Sequence, residues 1–536
     1  VDEPFCRVIH SCDREHGIDR LAVDLGEAMV IDVRSRREQF GTAVEEEVDV
    51  LVVGYGAAGA AAALSAQEAG AQVLVVEKCS QPGGNSLVSS ANTVYPQTSA
   101  DVGRFTRYLM EVCEGTTPAE VIETYVRGLL ELPGWLAGMG GELEDLDDLP
   151  MGSYYIPNLT FPQLSSAQGL SLVLRRLKQT TRCPQPTGGA RMWHLLDRQL
   201  STRGIPIQCA TAVCDLLIDG TGRVSGAVVE ANGSRRQVSV RAGVVLACGG
   251  FAYAEALKHA YLPSSAVGAL GSPGNTGDGL RLAQQAGAAL WHLTDQASAL
   301  GIAPQGWEAG FAINLPRPGY LYVDRRGHRF VDETRVEAHT ACQLTANYDP
   351  ATFDYPRLPC FAVFDEENIT SGPLGISMFS YNVVRLGYQW SDDNQAEIDR
   401  GWIVRAQTLD ELAHILEIPA GALRRTVDGY NQGAQAGSDV DFGRCRESLQ
   451  PLMPPFYALR LVPLLYNTQG GPRRDSCARV LDIDGEPIPG LYAAGEFGSI
   501  WGSRYQTSTN FAEALIYGRI AGHSAATGLL SVRTSG

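Results

Sequence analysis

The chain first takes on a clear hydrophobic pattern near residue 48. The Val-rich run 48–53 predicts a strand buried on both faces, and the run 72–76 predicts a second. Between them lie a Gly-rich turn, GYGAAGA, and an Ala-rich stretch with few bulky side chains, which predicts a helix. Residues 100–200 are expected to be mainly helical, with loops such as GSYYIPNLTFPQ. From GIPIQ to VVLACGGF, strand-like runs alternate with DG, TG and NG corners, which predicts a β-meander returning to the first sheet. GNTGDGLRLAQQAGAAL opens another helix, with Asp278 favoured as its cap over a role in holding a cofactor. GYLYVDRRGHRFVDE reads as a hairpin with a dense polar end. TLDELAHILEIPAGALRRTVDGYNQGAQAG predicts two amphipathic helices, the first opened by a capping box from Thr408 to Glu411.

These elements predict an α/β protein, and 536 residues are too many for one ordinary core. A Rossmann-like domain is expected over residues 46–289, with a helical excursion over roughly 100–200. It resumes at 441–536, and an α+β substrate or cap domain, 290–440, is inserted between its halves. Residues 1–45 show no clear period and are expected to form an N-terminal arm.

The net charge of -17 argues against general binding to nucleic acid or to an anionic membrane. No stretch is long and apolar enough to span a bilayer. VDEPFCRVIHSCDREHG lacks the basic region and apolar core of a secretion signal. The twelve cysteines are scattered and form no CxxC pair, as expected of reduced thiols in a cytoplasmic protein without a metal site.

Gly54, Gly56 and Gly59 sit between a strand and a helix, and Glu77 ends the next strand. That context, rather than the spacing alone, predicts a dinucleotide site. Gly54 permits the tight turn, Gly56 lets the backbone approach a pyrophosphate, and Gly59 lets the helix pack closely on the sheet. The helix N-terminus offers unpaired N–H groups to the phosphates, and Glu77 can accept from a ribose 2′-hydroxyl. QPGGNSLVSSANTVYP, with Gly83, Gly84, Asn85, Ser86, Ser89 and Ser90, reads as a second wrap around the cofactor.

The motifs VVGYGAAGAAAA, VEKCSQPGGNS, VVLACGGF, NTGDGLRLAQQAGA, GHRFVDE, LYNTQGGP and GLYAAGE…YGRIAG follow one another in this order. In this the chain resembles the fumarate reductase/succinate dehydrogenase flavoprotein superfamily, from about residue 45 to its end. The resemblance implies FAD. It places Gly495 and Glu496 near the ribitol and the backbone of Thr509, Asn510 and Phe511 at the pyrimidine edge. Ala57, Ala58, Lys78, Val213, Ala247 and Gly249 complete the expected cofactor set. The loop matching the covalent attachment site carries Asn85 and Ser86 and no histidine, so non-covalent FAD is expected.

In soluble fumarate reductases, two arginines and a histidine clamp or protonate a dicarboxylate. Here the matching positions hold Tyr505 beside Arg504, Glu337 with Arg335 two residues early, and Tyr466–Asn467. A tyrosine at the Tyr505 position resembles the 3-ketosteroid dehydrogenases, of the Δ1 and Δ4-(5α) types. The implied reaction is α,β-desaturation of a cyclic ketone, with a proton lost from the α-carbon and a hydride passed from the β-carbon to flavin N5. Tyr505, Tyr320, Glu337 and His339 are the candidate catalytic residues; Tyr320 and Tyr322 alternate on a strand and share a side. Arg504, Thr507, Tyr466, Tyr154 and Arg335 are the candidate substrate contacts, and Arg191 could reach a carboxylate or the cofactor. A tyrosine acts as a base only if its pKa falls well below about 10. Arg504, or a hydroxyl relay through Thr507 or Ser508, could lower it. The expected partners are a small cyclic ketone or enone and an electron acceptor or donor of open identity. The alternatives are a reductase of an activated C=C bond, working the same site in reverse, and an electron-transfer flavoprotein subunit.

Overall fold

The computed structural model describes residues 44–146, 152–264 and 267–534. Residues 1–43 of the expected N-terminal arm lie outside them. The Val-rich run forms the strand Val44–Val53, and the second run forms Val73–Val76. They pair in parallel, Val50 opposite Val73 and Val53 opposite Val76. Ser234–Leu246 lies parallel on the other side, with Val53 opposite Leu246, and Pro487–Ala493 is parallel to it in turn. The meander is present as Thr211–Ile218 and Val224–Ala231, paired antiparallel and leading into Ser234–Leu246.

Because four strands run the same way, their C-terminal ends share one edge of the sheet. Gly54, Glu77, Ala247 and Ala494–Gly495 each follow such an end. Ligands of open α/β sheets bind outside this edge.

The helix Ala57–Glu68 is buried nearly all round, which is why alanine dominates it. One side meets the sheet. The other meets the C-terminal helix Asn510–Thr534 at backbone distance: a Cβ on Gly518 would lie 2.4 Å from Ala58 O, and one on Gly522 2.0 Å from Ala62 O. Larger side chains on either helix would force them apart.

A second sheet has the order Phe311–Ala312, Gln296–Ile302, Phe456–Thr468, Cys360–Asp365, Tyr320–Val323, with Gly268–Ala269 and Ile403–Ala406 also paired to its long strand. Phe456–Thr468 thus belongs with the expected inserted segment, and the 440/441 boundary falls short of it. Gly268–Ala269 likewise joins this sheet from before the 289/290 boundary. Strand pairing, not sequence order, decides where this core ends.

GHRFVDE works within this second unit. Arg329 is bidentate to Glu333 at 2.9 Å and reaches Asp439 at 3.1 Å, and Arg444 reaches Glu333 at 3.3 Å. Two arginines and two carboxylates balance one another away from water, and removing one partner would strand a buried charge.

The 100–200 region is less helical than expected. Beside Val102–Val112, Ala119–Gly138 and Gly188–Thr202 it contributes strands Leu143–Leu146 and Leu172–Leu177, which pair with each other, the second pairing also with Thr93–Pro96. The two amphipathic helices are Leu409–Leu416 and Ala420–Ala436. Thr408 caps the first through the Glu411 N–H at 3.1 Å. The returning carboxylate of Glu411 accepts from Gln407 N–H at 2.7 Å rather than from the cap residue itself.

Candidate active site

At the nucleotide end the three glycines have separate physical reasons. Gly54 has φ +100°, and a Cβ there would lie 2.3 Å from Ala247 O. A Cβ on Gly59 would lie 1.9 Å from Gly54 O, so this glycine lets the helix close on the sheet. Gly56 is different, because its Cβ would meet only Ser86 Oγ at 3.2 Å and Gly83 O at 3.8 Å. It is a position where space has been left for something to approach. The cap residue, Gly56, has no side chain with which to cap the helix N-terminus. Ala57 N–H donates to Ser86 Oγ at 2.9 Å, and Ala58 follows in the first turn.

Glu77 accepts from Tyr55 N–H and Cys79 N–H, both at 2.8 Å, which holds its carboxylate at the strand end. Thr211 N–H donates to Glu77 O at 2.9 Å and brings the Val213 strand alongside. This helix start, glycine cradle and fixed acid suit a dinucleotide. Asp278 departs from the expected cap. Gly277 is the cap position, Asp278 is the first helical residue, and its carboxylate pairs with Lys78 Nζ. Ser90 stands at the close approach of the Gly188–Thr202 helix, where a Cβ on Gly188 would lie 2.0 Å from Ser90 O.

Gly83 and Gly84 both have positive φ and turn the chain into the short helix Gly84–Val88. Asn85 then joins three segments. Its Nδ2 donates to Glu496 Oε2 at 2.8 Å and to Tyr466 O at 3.1 Å, and its Oδ1 accepts from Ser272 N–H and Asn275 Nδ2. Glu496 Oε1 accepts from Thr468 N–H at 3.1 Å. Burial without a cationic partner pushes the Glu496 carboxyl up to about 7, and the bonds from Thr468 and Asn85 hold it back. Gly249 and Gly495 turn at positive φ on either side of this carboxylate.

The GSRYQTSTN turn is tied down by Gln506, which is fully buried. Its Oε1 accepts from Tyr108 Oη at 2.6 Å and Thr160 N–H at 3.1 Å, and its Nε2 donates to Asn158 O. A second anchor is the buried pair of Arg474 and Glu513, whose carboxylate also accepts from Ser499 Oγ and Ile500 N–H. Tyr505, in the same turn, is 9% exposed. Its Oη accepts from Thr509 N–H at 3.3 Å and Asn510 N–H at 3.4 Å, the start of the C-terminal helix. Phe511 packs on the same core just beyond.

Burial raises the Tyr505 pKa, and the Asn510 and Thr509 N–H groups oppose the rise without overcoming it. That is the reverse of what a tyrosinate base needs. Arg504 does not supply the missing cation, because it turns outward to Glu114 at 2.9 Å.

Around Tyr505 the structure gathers several residues expected from the sequence. The His339 ring meets the Tyr505 ring edge-on at 5.4 Å and tilts over Tyr466 at 4.9 Å. His339 Nδ1 lies 2.8 Å from Glu337 Oε1 and 2.9 Å from Thr507 Oγ1. Tyr466 and Tyr154 share a hydroxyl–hydroxyl hydrogen bond, and burial holds both phenols well above their ordinary pKa. Phe379, which the sequence did not single out, packs against Tyr154 and Tyr466 at 5.8 and 5.6 Å.

Four residues singled out from the sequence lie elsewhere. Tyr320 and Tyr322 do share a face, with rings 5.7 Å apart, but that face is a separate core in which Arg444 covers Tyr320. Arg335 is 83% exposed on its side chain and pairs with Asp332. Arg191 is buried and spends its guanidinium on the carbonyls of Leu177, Gln185 and Pro186. Among the described residues no group of three His, Cys, Asp or Glu side chains could hold a metal ion, and no helix is long and apolar enough to cross a membrane.

A model of the FAD binding domain family matches residues 49–511. NADH:acrylate oxidoreductase of Vibrio harveyi is 28% identical over 90% of this chain, and the chain spans half of that protein's length (50%). A 3-oxosteroid 1-dehydrogenase of Mycobacterium tuberculosis is 29% identical, over 84% of this chain and 92% of its own. The crystal structure of 3-ketosteroid Δ4-(5α)-dehydrogenase from Rhodococcus jostii, in complex with 4-androstene-3,17-dione, aligns with a TM-score of 0.66 at 26% identity, covering 90% of this chain and 98% of that one. FAD is the cofactor that the glycine-lined sheet edge fits, and the chain belongs to the FAD binding domain family, among flavin-dependent oxidoreductases that include ketosteroid dehydrogenases and fumarate reductases.

Proposed function

We propose that this chain desaturates a neutral, 3-ketosteroid-like cyclic ketone at the carbons α and β to the carbonyl, using FAD held non-covalently. The observation that carries this reading is the Tyr505 hydroxyl, which accepts two backbone N–H bonds and sits among aromatic rings. A phenol with its lone pairs engaged and its pKa raised keeps its proton and is free to donate it. Donated to a ketone oxygen, that hydrogen bond stabilises the charge that develops as the α-proton leaves. Tyr505 is therefore a polarising acid in this reading, not the base.

The two expected arginines do not form the clamp that a carboxylate substrate would need. Arg504 and Arg335, the two arginines nearest in sequence to the expected clamp positions, point to Glu114 and Asp332. Tyr154, Tyr466, Phe379 and Tyr505 instead offer ring faces and hydroxyls, which suit an apolar ring bearing one carbonyl. Bound FAD supplies the hydride acceptor for the β-carbon. Glu77 and the first turn of Ala57–Glu68 hold its nucleotide end, and an electron carrier beyond this chain reoxidises it.

The anaerobic test is to mix oxidised protein with saturated and monounsaturated cyclic ketones, steroids included, and follow the visible flavin band. Bleaching by a saturated ketone supports desaturation and identifies the ring class. The 28% identity to an acrylate reductase favours a second reading, reduction of an activated C=C bond. Reoxidation of chemically reduced protein by an enone or enoate, without bleaching by any saturated ketone, would establish that reading instead.

A further inference from the structure

We infer that His339, oriented by Glu337, is the base that takes the α-proton; this rests on the desaturation reading. Glu337 Oε1 is a carboxylate oxygen 2.8 Å from His339 Nδ1, so Nδ1 carries the proton and donates it. Glu337 Oε2 accepts from His339 N–H at 2.9 Å, so one carboxylate holds both the ring and the backbone of the same residue. His339 O accepts from Ser298 N–H at 3.0 Å, which fixes the segment to the second sheet. With Nδ1 committed, the free lone pair of the neutral imidazole is on Nε2, and among the described residues nothing hydrogen-bonds to it. The ring that carries it stands against Tyr505 and Tyr466, in the pocket where the ketone's oxygen would meet Tyr505.

The titratable groups facing His339 are Glu337 from its own segment, Tyr505 from the C-terminal turn and Tyr466 from the long strand, with Tyr154 behind it. Both tyrosines that touch the ring are held in their neutral form by burial. Among the described residues Glu337 is thus the facing carboxylate that fixes the ring through Nδ1, and it is a positioning residue. The step balances: the α-carbon gives its proton to Nε2, the β-carbon gives a hydride to FAD, and the electron pair of the α C–H bond becomes the new C=C bond.

The test separates proton removal from oxidation. Holoenzyme reduced with dithionite has no hydride acceptor left, yet it should still exchange the α-hydrogens of 5α-androstan-3-one or cyclohexanone with D2O, read by mass spectrometry. His339→Gln should lower that exchange at least ~100-fold, within the range of general acid–base catalysis. The ketone-induced shift of the oxidised flavin band should be unchanged. His339→Gly should be as slow, and added imidazole should restore exchange. Glu337→Gln should move the pH profile of exchange rather than abolish it. Exchange at the wild-type rate in His339→Gln, or a loss in His339→Gly that imidazole does not repair, would overturn the assignment. Wild-type protein bleached by the ketone, with His339→Gln bleached as fast, would overturn the base alone. Wild-type protein that neither exchanges nor is bleached would overturn the desaturation reading and the base together.

Discussion

Asn85 and Glu496, 411 residues apart in the chain, meet at 2.8 Å beside the glycines that line the cofactor edge. Among the described residues the carboxylate has polar company but no cation, and its proton is correspondingly hard to remove. The folded carboxyl titrates near 7 and the unfolded one near 4.5, so the folded state holds the proton more tightly between those values. Stability of the FAD-free protein is therefore greatest below the unfolded value and declines as pH rises through about 7, by up to about 3 kcal/mol. Glu496→Gln should flatten that decline. Thermal unfolding from pH 4.5 to 8 reads it, and parallel curves for the two proteins would show that folding leaves the Glu496 carboxyl unshifted.

Tyr505→Phe should remain yellow and lose turnover by two orders of magnitude or more, as expected for removal of one hydrogen-bond donor to a developing oxyanion. Visible absorption of the purified protein and steady-state rates on a bleaching ketone measure the two effects. Full activity in this variant would exclude the hydroxyl from the chemistry.

Arg504→Ala gives the opposite expectation. The ion pair with Glu114 is solvent-facing, so its loss should cost no more than about 1 kcal/mol and leave ketone turnover within a few-fold of wild type. A collapse of activity, with FAD retained, would return the arginine to the substrate site.

The glycines should separate by phenotype. Gly56→Leu should fold and be colourless, because its side chain would enter the space left for a ligand. Gly59→Ala should instead lower the melting temperature, because its Cβ would meet Gly54 O at 1.9 Å. Circular dichroism melts and the flavin spectrum distinguish them.

Gly522→Ala tests the helix pair. A methyl group 2.0 Å from Ala62 O forces the helices apart, and overpacking of this kind costs about 1–3 kcal/mol. Denaturant unfolding would show it as a lower midpoint.

The nucleotide end was legible because its signals are contiguous: a strand, a glycine turn, a helix and an acid within thirty-odd residues specify their own geometry. The substrate end was legible only in part. The resemblance points to Tyr505, Glu337, His339 and Tyr466, the chemistry of a relay to Thr507 and an aromatic loop to Tyr154, but none of these tells how the six side chains meet. Alternation on a strand told that Tyr320 and Tyr322 share a face, yet not that the face belongs to another core. Arg504 and Arg335 were misread because adjacency in sequence says nothing about which way a side chain turns. The sequence favours Asp278 as a cap over a role in holding a cofactor, yet it is the first helical residue and pairs with Lys78, two hundred residues earlier. Gln506 and Phe379 carry no sequence signal, since an amide and a ring acquire these roles only from the loops folded around them.

The C-terminal helix touches both ends of the cofactor edge. Its first N–H groups hold Tyr505, and Gly518 and Gly522 lie against Ala58 and Ala62 on the nucleotide helix. From Asn510 to Gly522 the shaft measures roughly 18 Å. It acts as a ruler between the Tyr505 turn and the glycine-flanked helix Ala57–Glu68. Inserting one residue between positions 512 and 517 would swing the glycine pair about 100° off its partner while leaving the Tyr505 turn undisturbed. The spacing in this helix is therefore as tightly constrained as the identity of any residue in the pocket.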